Sequence, residues 1–497
     1  MVILLPQVYL IKVFSRYMIG VMKPSKITIF YDGSCPTCTL YQSASADAGT
    51  WKKNTELNDL KRASREIVVE TDDGERLGGI DAIAAIESNR GHRWRAKLLR
   101  CTLLRPFLKL GYRILAHYRR VITGPSAPAF WAKTLISGGL LAGTGLSLPL
   151  WLHLRDFPPT FLVSPIGEPF FALSPIFFSL AVAGLFWLML ARKNWTWPLL
   201  LFCVGVLGLV LGDLNRLRPW LWQLGSLLVV LGFSPRQQGL SRAFIIGLIA
   251  AYIWGGAQKM NAYFLGDVFP WFAEAWQPLA TLSPEVIFTL GLATIALEIG
   301  IGVLILFPRF RLLAAGLATI LHLGIITTLP LGHHWGYVIV PWNLVLLGLV
   351  WLQVRAPRHS GRPLITGIAF VLFLLLPIGN WFGVVDNYLA LALYAHETDR
   401  GYITVSPKDI TRLPMSAQAT LADFYGEPAV DTLMWSYESF QTALYTNDKV
   451  YLAALQTLCE RASDPESLVL YLRTKKRLLR TIPGQTYTCE ALPNEDK

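Results

Sequence analysis

The chain has 497 residues, 53% of them hydrophobic and only 16% charged, with a formal net charge of +12. That apolar excess is high for a soluble protein, and the length allows roughly two to four domains. The positive balance does not point to nucleic acid, because no basic patch carries interleaved aromatics. In a membrane protein such charge falls instead on cytoplasmic loops.

Residues 1–22 are apolar but lack a basic start followed by a small-residue cleavage site, which argues against a signal peptide. They read either as a segment preceding a true start at Met22 or as an amphipathic membrane-surface helix. Residues 23–125 read as a small soluble α/β unit. Within it "KITIFY" predicts a buried strand, "REIVVETDDGERLGG" two short strands about an Asp-Gly turn, and "IDAIAAIESN" a helix. The stretch that follows, "RWRAKLLRCTLLRPFLKLGYRILAHYRRVI", alternates basic and apolar residues at helical spacing, as a helix on an anionic membrane surface does.

Straight after the first strand, Cys35 and Cys38 form a Cys-x-x-Cys pair with Pro36 between them. At the start of a helix the first sulfur meets free amide groups and the positive end of the dipole, which favour its thiolate. Cys35 would then attack a disulfide and Cys38 resolve the mixed intermediate. A zinc site needs two further ligands, and His92 and Cys101 stand alone, so no metal is assigned. Two inert thiols are the remaining reading, and isolated Cys101 and Cys203 read as packing residues.

The segment "IFYDGSCPTC" resembles the Asp-Gly-x-Cys-x-x-Cys signature of the DCC family of thiol-disulfide oxidoreductases, which are thioredoxin-like. The likeness extends over about residues 26 to 121 and implies Asp32, Gly33, Cys35 and Cys38 as the site. Two departures stand out. The interval between Cys38 and "IVVE" is short for the expected helix and extra strand, and no proline precedes "IVVE" to abut the cysteine pair.

From residue 126 to 385 apolar runs recur near the roughly 20 residues a helix needs to cross a bilayer. They predict a polytopic helical domain of about nine spans, at 134–153, 173–191, 197–212, 219–233, 243–261, 285–307, 312–330, 337–354 and 363–384. With the first domain cytoplasmic, the inside loops "HYRR", "ARKNW", "SPRQQGLSR", "PRFR" and "VRAPRHSGR" are basic. The outside loops hold few cations, apart from "GDLNRLRPW" with Arg216 and Arg218.

Ionisable residues at membrane depth are costly and mark function. Lys259 near the outer end of its span, and Glu298 and His322 near mid-depth, are the candidates for a substrate or quinone site. The bland readings are a Lys259 that snorkels to the interface and a Glu298–His322 polar pair that joins two helices. His333, His334 and Trp335 read as decoration of the outer interface.

The block from Ala243 to Trp351, with "YIWGGAQKMNAYF", a Glu-bearing helix and "FPRFRLLAAGLATILHLGI", resembles the HTTM membrane domain shared with vitamin K-dependent gamma-carboxylase. That likeness implies Lys259 as a base toward a reduced quinone. The block is also similar to DoxX-like four-helix proteins. Either resemblance implies quinone-linked redox chemistry in the membrane.

Residues 386–497 are polar and read as a small folded extracytoplasmic domain, in the periplasm or on the cell exterior. Its Cys459 and Cys489 read either as an exported disulfide or as buried thiols. The expected partners are the lipid bilayer, a thiol or disulfide protein and a membrane quinone. Three readings follow: a membrane-bound thiol-disulfide oxidoreductase, a quinol-dependent enzyme with Lys259 as base, and a non-enzymatic scaffold or transporter.

Overall fold

A computed structural model describes residues 26–56, 66–123, 127–163, 165–233, 240–356, 358–359, 362–393, 400–473, 475–476 and 481–490. The expected 1–22 extension lies outside these residues. The chain is mostly helical with small sheets and divides into two compact units, Met1–Ala127 and Pro128–Lys497.

The first unit is built on four strands, β1 (Ile27–Tyr31), β2 (Thr50–Lys53), β3 (Val68–Thr71) and β4 (Arg76–Gly78), in the spatial order β2-β1-β3-β4. β1 pairs parallel with β2 and antiparallel with β3, and β3 pairs antiparallel with β4. The parallel pair requires a crossover, supplied by helix α1 (Pro36–Ala44). The short interval after Cys38 thus holds both a helix and a strand. Helix α2 (Ile80–Asn89) presents Ala82, Ala85 and Ile86 to the core with Ile29 and Val69.

The basic stretch forms two helices, α3 (Arg93–Arg100) and α4 (Arg105–Thr123), broken at residues 101–104. Tyr112 turns inward, its hydroxyl accepting the amide of Ile67 at 3.0 Å. Trp94, Leu103, Phe107, Leu110 and Ile114 remain exposed, so these helices keep an unburied apolar stripe.

Each of the nine apolar segments of the second unit holds a helix: α5 (Ala127–Leu146), α6 (Ser174–Leu190), α7 (Thr196–Gly212), α8 (Pro219–Phe233), α9 (Arg242–Ala257), α10 (Pro284–Leu306), α11 (Arg311–Ile326), α12 (Ile339–Arg355) and α13 (Pro363–Phe370). Among the described residues three helical stretches, Pro284–Leu306, Pro308–Gly332 and Pro363–Phe382, are long and apolar enough to cross a membrane. α6, α7, α8, α9 and α12 run for only 15 to 17 residues.

Small residues let these helices approach backbone to backbone. A Cβ on Gly184 would come 2.7 Å from the Pro198 carbonyl oxygen, and one on Gly205 2.5 Å from the Ala181 amide nitrogen. Gly256 and Gly302 do the same for α9 against α10, where added Cβ atoms would lie 2.9 Å from the Ile295 carbonyl and 3.1 Å from that of Ile249.

The C-terminal region carries a five-stranded sheet of β5 (Gly401–Thr404), β6 (Leu421–Phe424), β7 (Glu427–Asp431), β8 (Val469–Leu472) and β9 (Gln485–Thr488), in the order β9-β8-β5-β7-β6, with helices α14 (Thr432–Phe440) and α15 (Asp448–Cys459). All its neighbouring strands pair antiparallel. A disulfide joins Cys459 to Cys489.

The region from residue 386 onward falls in one compact unit with the bundle, and its backbone and side chains bond to the bundle's loops. The Ser439 hydroxyl accepts the amides of Asp156 and Phe157 at 3.1 and 2.8 Å, and the Tyr445 amide donates to Asn215 at 3.1 Å.

Candidate functional site

In the first unit Cys35 occupies the N-cap of α1 with Pro36 as the first helical residue, a position where proline loses no hydrogen bond. The Cys35 amide donates to the Asp32 carbonyl at 3.0 Å, and the Cys35 carbonyl accepts from Thr39. Asp32 is buried and accepts from the Ser34 amide and hydroxyl at 3.1 and 2.6 Å, which fixes the turn. Gly33 is covered by the stem of Lys53, whose Cγ would lie 3.2 Å from an added Cβ.

Neither cysteine is in a disulfide and both are buried, Cys35 at 0% and Cys38 at 3% exposure. The four expected residues lie together in one turn, with both sulfurs shielded from solvent. On the same helix the Tyr41 hydroxyl donates to Glu87 at 3.3 Å, and burial together with that carboxylate pushes the phenol up to about 12. Glu87 also meets His92 Nδ1 at 2.9 Å. No group of three or more metal-ligating side chains occurs among the described residues.

The second cluster lies inside the helical bundle. Lys259 follows the end of α9, and its Nζ donates to Glu298 Oε2 of α10 at 2.6 Å. This approach depends on Gly255, since a Cβ there would stand 2.7 Å from Glu298 Oε1. Lys259 thus turns toward α10 and pairs with Glu298. Its side chain is 14% exposed and that of Glu298 11%.

His322 of α11 does not pair with Glu298, as the bland sequence reading has it. Its Nε2 lies 2.6 Å from the Tyr252 hydroxyl of α9, and its Nδ1 2.6 Å from Asn343 Oδ1 of α12. The Asn343 amide nitrogen donates to the Ile339 carbonyl at 2.8 Å, leaving its oxygen for the imidazole. The Asn343 oxygen calls for the proton on His322 Nδ1, which leaves Nε2 for the Tyr252 hydroxyl. The result is a directed chain of donors from Tyr252 to a backbone carbonyl.

All five of these residues line one cavity of about 320 Å³. Phe264, Phe269, Phe272, Trp276 and Trp342 supply aromatic walls, and the Trp276 indole donates to Thr328 Oγ1 at 2.8 Å across the rim. Trp342 is held by Gln223, its Nε1 donating to Oε1 at 2.5 Å. An apolar chamber with a few convergent polar groups is the usual form of a small-molecule site.

A second cavity of about 550 Å³ lies between the bundle and the C-terminal region, and Ile339, Trp342 and Leu393 line both. His333 stacks on Trp271 with centroids 4.2 Å apart, and Trp335 packs on Tyr437 at 3.5 Å. Trp271, Trp335 and Tyr437 all line this second cavity, so Trp335 is a structural contact rather than decoration of a free interface.

Sequence reading found Lys259, Glu298 and His322 but missed Tyr252, Gly255 and Asn343. Tyr252, Gly255 and Lys259 follow an i, i+3, i+7 spacing, a face that could have been read. No family model, curated protein or solved structure matches the chain.

Proposed function

We propose that the chain is an integral membrane redox enzyme whose cavity among α9, α10, α11 and α12 takes a quinol-type ring, with Lys259 and Glu298 as its proton-exchanging pair. The observation that carries this reading is the convergence of the ion pair and the Tyr252–His322–Asn343 chain in one aromatic-walled cavity. A scaffold would need only packed polar contacts.

A quinol, when bound, would supply phenolic protons to this pair, its two electrons passing to an oxidant from solution such as dioxygen. The residues fit such a ring: the walls are aromatic and the polar groups are few. The Glu298 carboxylate, 2.6 Å from Lys259 Nζ, can take the ammonium proton and leave a free amine. That amine can then accept the proton of a phenolic hydroxyl, while burial strengthens the exchange by excluding water. Tyr252, fixed by His322, orients a second polar contact.

The membrane reading of about nine spans is supported by a helix at every predicted segment. It is supported also by the fate of Arg216 and Arg218, the cations that broke the charge asymmetry. Both are fully buried in protein contacts and do not act as free loop charges. The C-terminal region and its disulfide then fall on the extracytoplasmic side.

A second reading concerns the first unit, a thiol-disulfide oxidoreductase module that supplies reducing equivalents through a thiol partner. The β2-β1-β3-β4 order with a parallel first pair, and Cys35 at the α1 N-cap, support a thioredoxin-like fold. The residue before β3 is Ile67 and not the proline usual beside such a pair.

The test is Lys259→Met in nanodiscs, assayed for binding of a short-chain benzoquinol and for its oxidation by dissolved dioxygen. Loss of turnover with a preserved thermal midpoint supports the assignment. Unchanged turnover removes Lys259 from the chemistry.

A further inference from the structure

Away from both sites, three arginines gather around one carboxylate where the bundle meets the C-terminal region. Asp213 is fully buried and accepts from the Thr160 amide at 3.1 Å, from the Asn215 amide and carboxamide at 3.1 and 3.2 Å, and from the Arg155 guanidinium. Arg216 Nε stands 3.9 Å from Asp213 Oδ2. Arg216 also donates to the Leu150 carbonyl at 3.2 Å, to Ser174 Oγ at 2.5 Å and to the Leu209 carbonyl at 3.3 Å. Arg218 donates from Nη1 to the Ala443 carbonyl of the C-terminal region.

The three are close neighbours. Arg155 and Arg218 both lie over the Phe440 ring, at 5.3 and 5.1 Å. Arg216 lies over Phe171 at 5.4 Å, and His153 stacks on that same ring at 4.0 Å.

The cluster is short of negative charge. Among the described residues Asp213 is the carboxylate within ion-pair distance of Arg155 and Arg216, and none lies within that distance of Arg218. The side chains of Arg155 and Arg216 are 2% and 0% exposed, and Arg218 is 0% exposed. Burial lowers Arg216 and Arg218 only to about 10, so both remain charged at neutral pH. Two uncompensated charges in a closed site are expensive unless something pairs them.

The hydrogen-bond inventory shows the same deficit. Arg155 Nη1, Arg216 Nη2 and both Nε and Nη2 of Arg218 are buried without a protein acceptor. Buried donors in native proteins normally find one. Ring faces offset part of the charge but do not accept four N–H groups.

We infer that Arg155, Arg216 and Arg218 hold a small inorganic anion of the halide class, a site distinct from the proposed redox cavity. The ion accepts the free guanidinium N–H groups and offsets part of the excess charge. Because Arg218 also grips Ala443, and Ala443, Pro219 and Trp220 line the second cavity, the anion ties the C-terminal region to the bundle beside that chamber.

The test uses the full chain in nanodiscs, dialysed into gluconate and titrated with chloride or bromide at constant ionic strength. The thermal midpoint should rise saturably with either halide and not with gluconate. Arg218→Gln should abolish most of that rise. A crystal grown in bromide should show an anomalous peak within hydrogen-bond distance of Arg218 and Arg216. This second measurement does not depend on any variant folding. Equal midpoints in all three salts, or ordered waters in place of the bromide peak, overturn the inference.

Discussion

Replacing Gly255 by alanine tests the redox cavity through one methyl group. The new Cβ would sit 2.7 Å from Glu298 Oε1, whereas ordinary contact begins at 3.4 Å. If the helices hold their positions, the carboxylate withdraws by about 0.7 Å, and its 2.6 Å bond to Lys259 lengthens to roughly 3.3 Å, near the limit for a hydrogen bond. A charge-assisted hydrogen bond contributes roughly 1.5–3 kcal/mol. Losing most of it weakens a ligand that relies on the pair by roughly one to two orders of magnitude.

The assay is quenching of intrinsic tryptophan fluorescence by a short-chain benzoquinone, since Trp276 and Trp342 line the cavity. Alanine also favours a helix over glycine by about 1 kcal/mol, so global destabilisation is not the expected signature. In a Glu298→Ala background the clash disappears and Gly255→Ala should be silent. Unchanged affinity in the wild-type background, or an equal loss in both, refutes the reasoning.

Three further outcomes are expected. The Cys459–Cys489 bridge closes a separation of 30 residues, so Cys459→Ser should destabilise the C-terminal region by about 3.5 kcal/mol on loop entropy, read by denaturant unfolding before and after reduction. With one alkylating reagent, Cys101, which is partly exposed, should react before the buried Cys35 and Cys38, read by peptide mass spectrometry. The Ser463 hydroxyl and amide hold the Asp409 carboxyl below its usual range, so the stability it adds is complete above about pH 4 and fades as pH falls through the lowered value. Asp409→Asn should remove that acid-side dependence from the unfolding curve.

Much of the fold was legible because its signals are local. The alternation in "KITIFY", the Asp-Gly turn and the apolar runs each predict the element found there, since period and turn chemistry act within a few residues. The span ends were legible to within a residue where helices pack through Gly184 and Gly205, but the close packing itself was not, because it is a property of pairs of helices. The site was half legible. Lys259, Glu298 and His322 stand out as ionisable residues in apolar runs, but their partners do not.

Whether Glu298 joins Lys259 or His322 depends on a gap at Gly255, and whether His322 meets Tyr252 and Asn343 depends on the crossing of three helices. Arg216 and Arg218 misled for the same reason. Their charge reads as an exposed loop until the C-terminal region is seen to bury it.

The most direct test of the cavity's role is photolabelling of the full chain in nanodiscs with an azido-benzoquinone, with adducts mapped by mass spectrometry. The account predicts saturable labelling of residues lining the cavity on α9, α10 and α11, competed by unlabelled quinone. Labelling spread over lipid-facing residues, and not competed, would contradict it.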